Sequence, residues 1–160
     1  MVALLDVNVL VALFDPAHTH HEAAHEWLDP NRAAGWATCP LTENGLIRVI
    51  SSPSYPGRRT TIQDAIQRLA LFRESGDHTF WPDSATLCDM RLIRPAHLLG
   101  HGQLTDVYLL ALAVTQGGCL ATFDRSIPVV AVDGAKTNHL VLIGDQRPTN
   151  RRGRPKKHSH

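Results

Sequence analysis

Short apolar runs alternate with longer stretches of helical periodicity along most of the chain. This is the pattern of β-α units wound on a mostly parallel sheet. Residues 2–5, 35–39, 118–123, 128–132 and 140–143 are apolar enough, and short enough, to predict strands. Helices are predicted over 20–29, 42–51, 60–75, 83–93 and 106–116, with the turn-rich S-S-P-S-Y-P-G at 51–57 as a break. The helix at 106–116, D-V-Y-L-L-A-L-A-V-T-Q, is apolar almost all round and is followed by Gly117-Gly118, so it should lie buried on the sheet and stop there. The expected architecture is a three-layer α/β/α domain over residues 1–145.

A chain of 160 residues with 43% hydrophobic content suits one domain with a substantial core. Cys39, Cys88 and Cys119 fall in no C-x-x-C pair, so neither a disulfide framework nor a thiolate zinc site is indicated. Met1 leads straight into V-A-L-L and Asp6, without a basic leader or a membrane-length apolar run, which makes a cytoplasmic protein with no membrane partner the expectation.

The formal charge of +1 conceals a split. Residues 146–160 hold six of the sixteen Lys and Arg and none of the fifteen acids, leaving ten basic against fifteen acidic residues in the body. A basic segment without hydrophobic residues is expected to be a disordered tail drawn to polyanions, with Arg151, Arg152, Arg154, Lys156 and Lys157 as its nucleic-acid-binding candidates. Within it, Arg152-Gly153-Arg154-Pro155 has the form of an AT-hook core, against which stands the plainer reading of a generic polyanion-binding arm.

Chemistry enters with four acids placed where apolar segments break: Asp6, Glu43, Asp106 and Asp124. Asp6 and Asp124 each close a predicted strand, and in open parallel sheets the crevice beyond the carboxyl ends of the strands is where ligands bind. Leu41-Thr42-Glu43 and Leu104-Thr105-Asp106 each offer Thr as an N-cap and an acid in the first turn, where the helix dipole favours the ionised carboxylate. Glu43 or Asp106 taken singly is at home as a capping residue, whereas Asp6, wedged between V-A-L-L and V-N-V-L-V, is costly to bury unpaired. Taken together they predict four carboxylates at one rim, whose repulsion would raise the pKa of at least one unless a cation stood between them. Mg²⁺ or Mn²⁺ suits an all-oxygen set, and the natural chemistry is phosphodiester hydrolysis.

The segments L-L-D-V-N-V-L-V-A-L, L-T-E-N-G-L-I-R, L-T-D-V-Y-L-L-A-L-A and L-A-T-F-D-R, in this order and spacing, resemble the PIN-domain ribonucleases, in particular the VapC-type toxins of bacterial toxin-antitoxin pairs. The resemblance spans nearly all of residues 1–145. It implies a three-layer α/β/α fold and Mg²⁺- or Mn²⁺-dependent endonucleolytic cleavage of RNA. Also implied are a small VapB-like antitoxin that occludes the site, and a homodimer or toxin-antitoxin hetero-oligomer. Asp6, Glu43, Asp106 and Asp124 take the places of the family's metal-binding, catalytic acids, Asn8 and Ser126 are candidates for supporting polar groups, and transfer RNA is the substrate the family suggests. The basic tail is no part of the resemblance.

Two alternatives come from other classes. His21-Glu22-Ala23-Ala24-His25 matches H-E-x-x-H, the zinc-protease motif in which two histidines hold the metal and the glutamate acts as base. Its crowded setting, H-T-H-H-E-A-A-H-E-W, favours instead the solvated face of an amphipathic helix. The other alternative, a nuclease-like fold without activity that binds nucleic acid, sits poorly with acids intact at all four stations. A haloacid-dehalogenase-type phosphatase is excluded by Asn8 where D-x-D needs an acid, and no phosphate-cradling glycine motif is present.

Overall fold

The computed structural model describes residues 1–144; the basic segment and its candidate residues lie outside the described part. Five parallel strands form one sheet in the order β3-β2-β1-β4-β5: β1 Ala3–Leu5, β2 Trp36–Thr38, β3 His78–Phe80, β4 Cys119–Thr122 and β5 Leu140–Leu142. The central strands are buried along their whole length, as both faces carry helices. On one face α1 (Val7–Phe14), α2 (His21–Asn31), α3 (Pro40–Ile50) and α4 (Ile62–Glu74) enclose a core around Leu5, Leu10, Leu28, Trp36, Leu46 and Leu69. On the other, α5 (Leu104–Thr115) packs Val107, Leu110 and Ala111 with Leu4, Leu120 and Ile93.

Helix α5 ends as its glycines require. Gly117 adopts φ +69°, its N–H donates to Val114 O, and the N–H of Gly118 reaches back to Ala113 O at 2.9 Å, the paired bonds of a Schellman stop. The strand order reverses direction at β1, which pairs with β2 on one side and β4 on the other, so the crevice of a doubly wound sheet opens beyond Leu5 and Thr122.

Four elements differ from the pattern-based expectation. Residues 83–93 are irregular rather than helical, because Thr86 Oγ1 takes the N–H of Cys88 and Asp89 Oδ1 that of Arg91, local side-chain captures that compete with a helical ladder. Residues 128–132 hold a 3₁₀ turn at Val129–Ala131, and Val132 bridges antiparallel to Ile93; the place beside β4 belongs to β5. Helix α1 is apolar apart from Asn8 and follows β1 after Asp6 alone, so strand and helix read together as one apolar stretch. Strand β3 is a three-residue, mostly exposed edge, too short to register as an apolar run. Among the described residues no helix is long and apolar enough to cross a membrane.

Candidate functional site

Asp6 follows β1 directly and is 4% exposed. Its backbone N–H is taken by Ala121 O, and its Oδ2 accepts a 2.7 Å hydrogen bond from Thr122 Oγ1, the last residue of β4. The same hydroxyl accepts the N–H of Asp124 at 3.0 Å. One fully buried threonine therefore ties together the acids at the ends of the two central strands. Ser126 completes the fixing of Asp124, donating both its N–H and its hydroxyl to Oδ1 at 2.7 Å. Asp106 arrives from the first turn of α5, beside the other two.

These three carboxylates act on one another. Burial first, then the charges of Asp6 and Asp124, push Asp106 up to about 6. Burial also raises Asp6, with Asp124 adding to the effect and the Thr122 bond opposing it. The helix terminus, expected to keep these acids readily ionised, is thus outweighed at Asp106 by desolvation and like charge. Neither threonine is the N-cap: α3 begins at Pro40 and α5 at Leu104, so Thr42 reaches back to Cys39 N–H from within the helix.

Glu43 stands in a different setting. It lies in the first turn of α3, where its Oε1 accepts a 2.6 Å bond from the buried Thr38 hydroxyl and Arg73 pairs with it at 3.3 Å. Thr38 Oγ1 is also 2.8 Å from His78 Nε2, which must be the donor there because the single hydroxyl proton goes to Glu43. Burial and the nearby Arg73 hold His78 down at about 4, so the ring is neutral near pH 7. Asp6, Asp106 and Asp124 act on one another, and Glu43, just past the neighbouring strand β2, is paired with Arg73 and Thr38. Asn8 is exposed in the first turn of α1, two residues from Asp6.

Among the described residues, no group of three His, Cys, Asp or Glu side chains forms a ready cage for an ion. The trio's all-oxygen, mutually repelling donor set nevertheless fits Mg²⁺, which takes one or two carboxylates and keeps waters for the rest. At pH 7, where protonation no longer neutralises Asp106, a bound cation would relieve the repulsion there. No such fit exists at H-E-x-x-H. His21 donates Nδ1–H to Ala12 O at 2.7 Å and His25 donates Nε2–H to Leu13 O at 3.2 Å, satisfying carbonyls at the end of α1. The rings meet edge to face, each spends one nitrogen on a carbonyl, and among the described residues no third His, Cys, Asp or Glu joins them in a metal-holding group. They do not line a solvated face either: both are half-buried braces between α2 and α1.

Thr122, Thr38, Arg73 and His78 are not distinguishable by pattern. Threonine in a buried strand has ordinary strand propensity, and only its spacing two residues before Asp124 sets Thr122 apart. A cavity of about 470 Å³ elsewhere, lined by Phe14, Tyr55, Arg58 and Arg68 among others, includes none of the four acids.

The PIN domain family profile matches residues 3–133. Among curated relatives, Ribonuclease VapC44 of Mycobacterium tuberculosis is 44% identical over 143 residues, 89% of this chain and all of that one. Ribonuclease VapC39 of the same species is 43% identical over 127 residues, 79% of this chain and 91% of that one. Among solved structures, VapBC2 from Rickettsia felis, bound to a DNA fragment from their promoter, aligns with TM-score 0.56 at 16% identity, over 89% of this chain and 97% of that one. Mycobacterium tuberculosis VapC20, a sarcin-ricin loop cleaving toxin, aligns with TM-score 0.56 at 14% identity, over 81% and 95%. The two structures share the α/β/α fold with this chain.

Proposed function

The chain belongs to the PIN-domain family and is akin to its VapC ribonucleases; on that premise we propose that it is an endoribonuclease toxin, held in check by a VapB-like antitoxin, whose site is the Asp6, Asp106, Asp124 trio. The observation that carries this reading is the close placement of those three carboxylates at the switch point of the sheet, where Thr122 ties Asp6 to Asp124 and burial with like charge raises Asp106 and Asp6. A fold does not stabilise such an arrangement for its own sake, and burial of like charges is a mark of functional sites. Asp6, Asp106 and Asp124 would hold Mg²⁺ or Mn²⁺, Glu43 standing by through its Arg73 and Thr38 partners. When bound, the cation lowers the pKa of water and offsets charge growing on the phosphate.

The chain's own residues supply the rest. Thr122 fixes the spacing of Asp6 and Asp124 by bonding to both, and Ser126 sets the direction of the Asp124 carboxylate. Neutral His78 orients Thr38, which orients Glu43. Transfer RNA is the first substrate to offer, and the cytoplasm is where the protein would meet it.

Cleavage of RNA by the purified protein is expected to vanish on chelation and return with Mg²⁺ or Mn²⁺. Because a proton competes for Asp106 below about pH 6, half-maximal activation should need more cation at pH 5.5 than at pH 7.5. Cleavage that persists in excess chelator, or a cation requirement indifferent to pH, would remove the trio from the reaction.

The basic tail has a separate role in this proposal, raising affinity for RNA electrostatically. Deleting residues 147–160 should weaken RNA binding at low salt and matter little at high salt, where screening has already removed the attraction. A binding curve unchanged at low salt would assign the tail another purpose.

A further inference from the structure

We propose that His20 and Phe123 form a nucleobase-stacking subsite that holds the RNA strand beside the carboxylate trio, an inference resting on the ribonuclease reading above. The two rings stack with centroids 4.5 Å apart and planes inclined by 21°. Phe123 lies between Thr122 and Asp124, the residues that fix and supply the acids, so the stack stands at the site's edge. His20 is exposed and Phe123 half-buried, leaving the outer ring available to a ligand.

The segment carrying His20 is braced. Asp15 Oδ1 takes Ala17 N–H at 2.9 Å, Asp15 O takes His18 N–H, His18 Nδ1 takes His20 N–H at 3.1 Å, and His18 O takes His21 N–H. Behind it, His21 and His25 pin α2 to α1. The backbone carrying His20 is thereby held, and its exposed imidazole lies over a phenyl ring from a distant part of the chain.

The need for such a contact follows from the charge of the site. Three carboxylates repel the phosphates of an approaching strand, and a single divalent cation offsets only part of that. Stacking attracts a base without regard to backbone charge or to sequence, which is how proteins commonly hold unpaired RNA.

The test uses the full chain and a short oligoriboadenylate containing 2-aminopurine, bound in excess chelator so that no cleavage intervenes. Alanine substitution at a base-stacking position costs about fivefold to a hundredfold in affinity. His20→Ala is therefore expected to weaken binding by that range and to lose the quenching of 2-aminopurine fluorescence. His20→Phe, which keeps a stacking ring, should remain within about threefold of the parent, the margin left by ring-to-ring differences in stacking. With Mg²⁺ present, the fall in kcat/KM for His20→Ala should lie in KM. Parent-like binding and quenching by His20→Ala would overturn the proposal. So would equal losses in His20→Phe, which would make ring charge the operative property, or a loss confined to kcat, which would make His20 a brace for Asp124. If the parent protein quenches the probe yet cuts no RNA with Mg²⁺, the ribonuclease reading fails while the subsite stands.

Discussion

Asp106→Asn should destroy RNA cleavage and, in the metal-free protein, raise thermal stability above pH 6. The amide keeps the shape of the side chain and removes the charge, so a site that depends on three carboxylates loses cation affinity; a fall of at least about a hundredfold in rate is expected, the scale of losing one electrostatic contact to a transition state. Stability moves the other way for a reason that can be signed. Burial and the charges of Asp6 and Asp124 raise the folded-state pKa of Asp106 to about 6 from its ordinary value of 3.8. Between those values the folded chain binds more protons than the unfolded one, so stability falls as pH rises through that window and stays reduced above it. The uncharged amide of the Asp106→Asn variant carries no such penalty. Melting curves in chelator at pH 4 should nearly coincide for the two proteins and at pH 8 should separate, with the variant higher. Asp6→Asn should be equally inactive, since its amide oxygen can still accept the Thr122 hydroxyl but cannot replace a carboxylate. Full cleavage by either variant, or an Asp106→Asn protein that melts lower at pH 8, would break the link between frustration and function.

Gly118→Ala should cripple the fold itself. A Cβ at this position would run into the carbonyl oxygen of Val2 and would lie 2.6 Å from Trp81 Cη2. The ring could shift, but the carbonyl is the one that accepts the Cys119 N–H in register with β1. Backbone held in a sheet ladder cannot step aside, so the cost should reach about 3 kcal/mol, the upper part of the overpacking range. For a domain of this length that corresponds to a melting temperature lower by roughly 10 °C. The comparison is Gly117→Ala, where a Cβ meets open space but φ is +69°, so only conformational strain of about 1 kcal/mol is expected. A Gly118→Ala protein as stable as its parent would mean that β1 and β4 do not approach as closely as described.

Much of the site was legible in the sequence alone, and the reason is local. An acid directly after an apolar strand must emerge at the strand's carboxyl end, and one in a helix's first turn at that helix's start. In a parallel β-α succession both of these lie on the same side of the sheet. Asp6, Asp106 and Asp124 are of this kind. Glu43 obeys the same rule, yet the rule says nothing of Arg73, thirty residues on, whose guanidinium takes up its charge.

The histidines show the other limit. The spacing of His21 and His25 is that of a zinc site on a helix, and the sequence offers no means of knowing that two carbonyls at the end of α1 claim them. Residues 83–93 err in the opposite direction: their Ser, Thr and Asp content hinted at side-chain captures, but only the folded chain shows which N–H groups were taken.

The sequence by itself determined the β-α succession, the buried central strands, the glycine stop of α5 and the end of the sheet at which the acids would lie. These depend on hydrophobic period and backbone preference, which operate within a few residues. Only the tertiary structure decided that Thr122 joins Asp6 to Asp124, that Glu43 is paired with Arg73, that His20 covers Phe123 and that a three-residue edge completes the sheet. Each of these turns on a contact between residues thirty or more positions apart, and the edge strand likewise takes its place from the distant neighbour it pairs with. Hydrogen bonds and stacking at such separations are fixed by which elements the fold brings side by side.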